Sequence, residues 1–171
     1  MAYTRNTDHR NTDHRLLSIY LNDHFAGAVA GSALADRVAG ANRENERYQP
    51  ALNQLAAEIK EDRDELRSLM RRLDVSVDCV KPLGGLMAEK LGRLKLNGQL
   101  RGYSPLSRVE ELEAMRIAVT GKQMLWIALE TLASTESRLE MAELERLAAR
   151  ALRQSQIVET LHKEALREVL E

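Results

Sequence analysis

Apolar residues recur at spacings of three and four along four separate stretches of this chain, and each stretch predicts an amphipathic helix with one face turned inward. Leu17, Leu21, His24, Ala28, Gly31, Ala35 and Val38 form the first stripe. The second runs Leu52, Leu55, Ile59, Asp62, Leu66, Leu69 and Leu73. Leu112, Met115, Val119, Leu125, Leu129 and Leu132 make the third, and Leu144, Leu147, Ala151, Val158, Leu161, Ala165 and Val169 the fourth. Short connections at 41–49 and 133–136 join the helices as two hairpins, and a long connection, 74–104, separates the hairpins. The pattern describes a four-helix bundle with one crossover. The alternative is an up-down bundle with an inserted fifth helix.

Local signals set the expected boundaries. Thr12 reads as the N-cap of the first helix and Gly40 as its C-cap, while Pro50 suits the first turn of the second. Ser104-Pro105 and the capping box Ser107-Arg108-Val109-Glu110 open the third helix, and the box Ser137-Arg138-Leu139-Glu140 opens the fourth. A tandem repeat, Arg5 to His9 and then Arg10 to His14, has a period that matches neither helix nor strand. Residues 1–11 are therefore expected to be a flexible polar arm, and 12–171 a single domain. On a helix, His9 and His14 would lie about 140° apart, too far round to share an ion on one face. Gly27-Ala28-Val29-Ala30-Gly31 places two glycines four apart, which predicts close approach of a partner helix. Within the crossover, Leu83, Leu86, Met87, Lys90, Leu91 and Leu94 predict a short helix, broken by Asn97-Gly98 and Arg101-Gly102.

Composition narrows the class. A chain with 44% hydrophobic, 30% charged and only 4% aromatic residues suits helices filled with Leu and Ala, so the fold class is all-α. A formal charge of −1 gives the whole molecule no bias toward nucleic acid or anionic membranes. Cys79 is the single cysteine, which excludes an intrachain disulfide and suits a reducing cytoplasm. The longest apolar run, Phe25 to Ala35, is too short for a membrane span, and the polar, charged stretch before it is unlike a signal peptide. A cytoplasmic protein is the expectation.

Helix lengths and the long middle connection resemble the ferritin-like superfamily over residues 12–171. That resemblance implies a di-metal site for iron or manganese, with one carboxylate from each of two helices and a Glu-x-x-His pair from each of the others. Glu159-Thr160-Leu161-His162 matches such a pair. The second helix offers Glu58 and Glu61 without a histidine, and the middle of the third, Val119 to Gln123, has no carboxylate, which leaves Glu113 nearer its start. The candidate ligands are Glu58, Glu61, Glu113, Glu159 and His162, with the crossover setting Glu58, Glu113 and His162 at one level. Because this pattern is incomplete, solvated or ion-paired side chains are the simpler reading, and no cofactor is expected.

His24 and Asp62 occupy core-spaced positions and predict a buried hydrogen-bonded pair. Glu58, Glu61, Asp62, Asp64 and Glu65 crowd the second helix with like charges, whereas Lys90, Arg93, Lys95 and Arg101 make the crossover basic. The economical expectation is that the crossover lies along the acidic helix. The same basic cluster is a candidate anion or nucleic-acid patch, although Tyr103 is its one aromatic residue and no helix-turn-helix or zinc spacing accompanies it. Phosphate-binding glycine loops and nucleophile elbows are absent from the sequence. The leading expectation is a non-enzymatic structural or protein-interaction module, self-associating through an apolar helix face. Metal-carboxylate chemistry and anion or nucleic-acid binding are the alternatives.

Overall fold

A computed structural model describes residues 6–78 and 103–170, with side chains from residue 14 onward. Four helices account for all the regular structure among them: α1 (Asn6–Ala41), α2 (Gln49–Arg72), α3 (Pro105–Ala133) and α4 (Met141–Leu170). None is long and apolar enough to cross a membrane. The short helix expected in the crossover, the basic residues Lys90, Arg93, Lys95 and Arg101, and Cys79 lie outside the described residues.

Side-chain pairs fix the helix directions. Arg37 on α1 meets Glu111 on α3 at 2.9 Å, and Asn42, just past α1, accepts from Arg108 near the start of α3 at 2.7 Å. Between α2 and α4, Arg150 meets Glu61 at 3.0 Å and Arg146 meets Glu65 at 3.4 Å. The helices therefore pack in the cyclic order α1, α2, α4, α3, every neighbouring pair antiparallel, with α2 and α3 running the same way on a diagonal. Residues 78 and 103 consequently stand at opposite ends of the bundle.

Every member of the α2 stripe is buried, and the α3 and α4 stripes are buried except for their last residues, Leu132 and Val169, which are half-exposed. The core forms two apolar clusters. One gathers Leu52, Leu55, Leu112, Met115, Val158 and Leu161; the other gathers Leu21, Leu66, Leu69, Leu125, Trp126 and Leu147. Burying each such side chain contributes roughly 1.5–3 kcal/mol.

Several boundaries differ from the sequence expectation. Helix α1 begins at Asn6 and carries residues 6–14 of the repeat in its first turns, because extending a formed helix avoids the cost of nucleation even through residues of middling propensity. Thr12 therefore lies inside it. At its other end Asn42, rather than Gly40, closes the helix by donating its side-chain amide to the Val38 carbonyl at 2.8 Å. Helix α3 is capped one turn earlier than the Ser107 box: Ser104 Oγ accepts the Leu106 N–H at 3.3 Å, with Pro105 in the first turn. Ser137 sits in the turn before α4, where Glu136 accepts the Arg138 backbone N–H at 3.1 Å and binds its guanidinium at 2.8 Å.

One end of the long connection is anchored on α1, and the other on Asn42 just past it and on Glu111 of α3. Asn22 donates to the carbonyls of Ser18 and Ser76, both at 3.0 Å, and accepts the Asp78 N–H at 2.7 Å. At the far end the Tyr103 hydroxyl accepts from Asn42 at 3.2 Å and donates to Glu111 at 2.8 Å. Arg108 lies between the rings of Tyr48 and Tyr103, 4.4 and 5.7 Å from their centroids, and binds Glu168 at 2.6 Å. Burial, with the hydrogen bond to Glu168, pushes the Tyr48 phenol up to about 12. Replacing Asn22 with Ala should leave two backbone groups without partners and lower stability by about 1–3 kcal/mol in urea unfolding; an unchanged midpoint would show that the anchor carries no stability.

Candidate functional site

Between the two apolar clusters lies a layer of charge. Asp62 on α2 has its side chain 0% exposed, and three groups converge on it: Lys122 from α3 and Arg150 from α4, each 12% exposed, and the fully buried amide of Gln154 at 3.1 Å. Helical spacing accounts for the convergence. Asp62 falls in the gap between Ile59 and Leu66 on its stripe, Lys122 between Val119 and Leu125, and Gln154 between Ala151 and Val158, so each polar residue takes a core position at the same height. Lys122 also donates to Gln154 Oε1, and Gln154 Nε2 donates to Glu58 at 3.0 Å. Burial drives the Lys122 pKa below the ordinary lysine value, against the opposing attraction of Asp62.

Helix α1 contributes almost nothing to this layer. Where a large α1 side chain would complete it, the chain has Gly27, Ala28 and Gly31, and the result is a cavity of about 340 Å³. Ile59 and Leu66 of α2 and Met115, Val119, Leu125 and Trp126 of α3 supply apolar walls, and Asp62 and Lys122 supply the charged one. Asp23, His24 and Arg63 form its half-buried polar margin. The glycine pair does not produce the close helix approach its spacing suggested. A Cβ on Gly31 would touch Ala118 at 3.8 Å, but one on Gly27 or on Gly121 would meet nothing within 4 Å. Gly27 and Gly121 leave space instead of closing it. Cavities of about 300–1,000 Å³ with apolar walls and a few fixed polar groups are the usual form of small-molecule sites.

His24 and Asp62 both line this cavity, yet they are not the predicted pair. Asp62 is taken by Lys122, Arg150 and Gln154, while His24 stands edge-on to Tyr20, ring centroids 4.5 Å apart. Cations reaching across from α3 and α4 satisfy the carboxylate more fully than a neutral imidazole would. Burial holds the His24 pKa below its usual value, opposed by Asp23.

The metal-ligand candidates are dispersed. Glu58 accepts from Gln54 and Gln154, and although burial opposes it these bonds keep its pKa low; Glu61 pairs with Arg150. Glu159 is held by Lys163 at 2.7 Å and Arg116 at 2.8 Å, which lower its pKa. Only His162 and Glu113 meet, at 3.0 Å. Glu58 stands opposite Gln154, eight residues and about 12 Å of helix rise from His162, so the single level expected for Glu58, Glu113 and His162 does not form. Among the described residues no group of three or more His, Cys, Asp or Glu side chains is arranged to hold a metal ion. The acidic run on α2 is offset from α4 and from α2 itself: Arg146 meets Glu65, Arg150 meets Glu61, and Arg63 meets Asp64 at 2.7 Å.

Lys122, Arg150 and Gln154 were not singled out by the sequence reading. The available signal was a lysine and a glutamine at core-spaced positions, Lys122 three residues past Val119 and Gln154 three past Ala151. No protein-family model, no curated protein and no solved structure matches the chain.

Two substitutions test this geometry. Asp62→Leu should strand the buried Lys122 and cost about 3–5 kcal/mol of stability by chemical denaturation. Gly27→Ala should do the reverse, raising stability by about 0.5–1 kcal/mol, because the helix gains propensity and the methyl enters open space.

Proposed function

We propose that this chain is a non-enzymatic binding module, a helical bundle of ferritin-like layout that takes a small, largely apolar molecule into the cavity beneath α1. The observation that carries this reading is the cavity itself, about 340 Å³ with apolar walls and one buried ion pair. A void of this kind is a cost to folding unless something uses it, since its lining side chains forgo their packing partners. The parallel run of α2 and α3, with residues 78 and 103 at opposite ends, supports the one-crossover layout. The carboxylates that a ferritin-like metal centre would need are engaged elsewhere, so the proposal assigns the module a ligand and not iron or manganese.

Trp126 is the single tryptophan and lies in the cavity wall, so its fluorescence reports on occupancy. Titration with straight-chain C10 compounds should shift or quench its emission saturably, and Gly27→Leu with Gly121→Leu, which fills the space, should abolish the response while the helical circular dichroism is kept. Unchanged emission across the series would reject the proposal.

Ile117, Met124 and Ile127 lie on one outward face of α3 and are exposed at 72%, 49% and 41%. Such a face supports a second, compatible role in contact with another copy or another protein.

A further inference from the structure

Resting on the cavity as a binding site, we infer that its ligand carries a carboxylate: an apolar chain or ring system with one anionic head, held at Lys122. The inference starts from the donors left over in the wall. An ammonium group has three N–H donors, and those of Lys122 that have partners go to Asp62 and Gln154, which leaves one unused among the described residues. Trp126, also a wall residue, keeps its indole Nε1 buried without an acceptor among the described residues. Native interiors rarely leave a buried donor without a partner, and an acceptor brought by a ligand accounts for both.

Charge favours an anion over a neutral acceptor. The one carboxylate that Lys122 contacts is Asp62, which it shares with Arg150. Glu61 meets Arg150 from the solvent side, and Glu58 bonds to Gln154 and acts on Lys122 through space without touching it. The lysine's one direct counter-charge, Asp62, is thus shared with Arg150, which Glu61 also meets. Burial outweighs that attraction and lowers its pKa, the mark of an ammonium that further negative charge would stabilise. At the margin, Asp23 and Arg63 bring one charge of each sign and leave the preference to the interior. An amine ligand would set its own cation against Lys122 in the wall.

The test compares decanoate, decan-1-ol and decylamine, each below its micelle concentration, by Trp126 emission on the unmodified full chain. Decanoate should bind about tenfold or more tightly than decan-1-ol, the difference between a charge-assisted and a neutral hydrogen bond, and decylamine weakest. Lys122→Met should remove the preference for decanoate over the alcohol, and Lys122→Arg should keep it. Equal binding of acid and alcohol, or tightest binding of the amine, would overturn the inference while leaving the cavity as a binding site. Binding by none of the three would remove both readings. Since the ranking of the three compounds is made on the unmodified chain, it stands even if Lys122→Met does not fold.

Discussion

A carboxylate with no exposure to water, placed midway along a helical bundle, is the constraint around which this molecule is arranged. An ionised Asp62 in an apolar core would be prohibitively costly alone, so the fold must bring cations to it. It does so from two different helices, Lys122 from α3 and Arg150 from α4, with Gln154 adding a hydrogen bond to the oxygen that Lys122 holds. Because those partners stand at one height, the pairing allows α2, α3 and α4 little freedom to slide past one another. A shift by one turn would separate every member of the layer by about 5.4 Å. Buried polar groups are best attested in this role of setting register.

The first helix stands outside that arrangement, and its chemistry explains why. Its residues facing the layer are Gly27, Ala28 and Gly31, which can neither pair with Asp62 nor fill the height between Phe25 and Leu34. The same absence of side chains that makes α1 uninformative as a charge partner makes room beneath it. Elsewhere α1 is firmly held: Leu21 and Phe25 join one apolar cluster, Leu34, Ala35 and Val38 join the other, and Asn22 and Asn42 anchor the two ends of the long connection. The void is therefore bridged, with good packing on both sides. A helix so supported can span a gap without collapsing into it, and the consequence is a site whose walls are set by α2 and α3 and whose roof is nearly bare backbone.

Much of this fold is legible from hydrophobic spacing alone. Every residue of the α2 stripe, Asp62 included, is where period 3.6 puts it, and so are Leu112 to Leu129 and Leu144 to Ala165. Spacing identifies which face is buried but not who meets whom across it. Asp62 could be recognised as a core position, yet its partners lie sixty and more residues away on helices whose relative height no local signal specifies. Capping boxes are ambiguous for a related reason: Ser104-Pro105 marks the start of α3, as its sequence suggests, and the Ser107 box does not. Ser107 and Ser137 open well-formed boxes, but Pro105 starts α3 a turn earlier and Glu136 takes over the turn before α4. The glycines were misjudged because small residues serve two opposite ends, close approach and empty space, and only the positions of Ala118 and its neighbours distinguish them. The ferritin-like ligand positions suffered most, since Gln154 and not His162 turned out to be level with Glu58.

The central claim is that a packed bundle keeps an open cavity beneath Gly27 and Gly31, against the buried layer of Asp62, Lys122, Arg150 and Gln154. Crystals of the protein equilibrated with xenon test it directly, because the gas occupies apolar cavities without needing a specific hydrogen bond. The account predicts a xenon site enclosed by Gly27, Leu66, Met115, Val119, Leu125 and Trp126, with Lys122 still paired to Asp62. A structure in which α1 lies directly against α3 and α2 along this stretch, with no xenon between them, would contradict it.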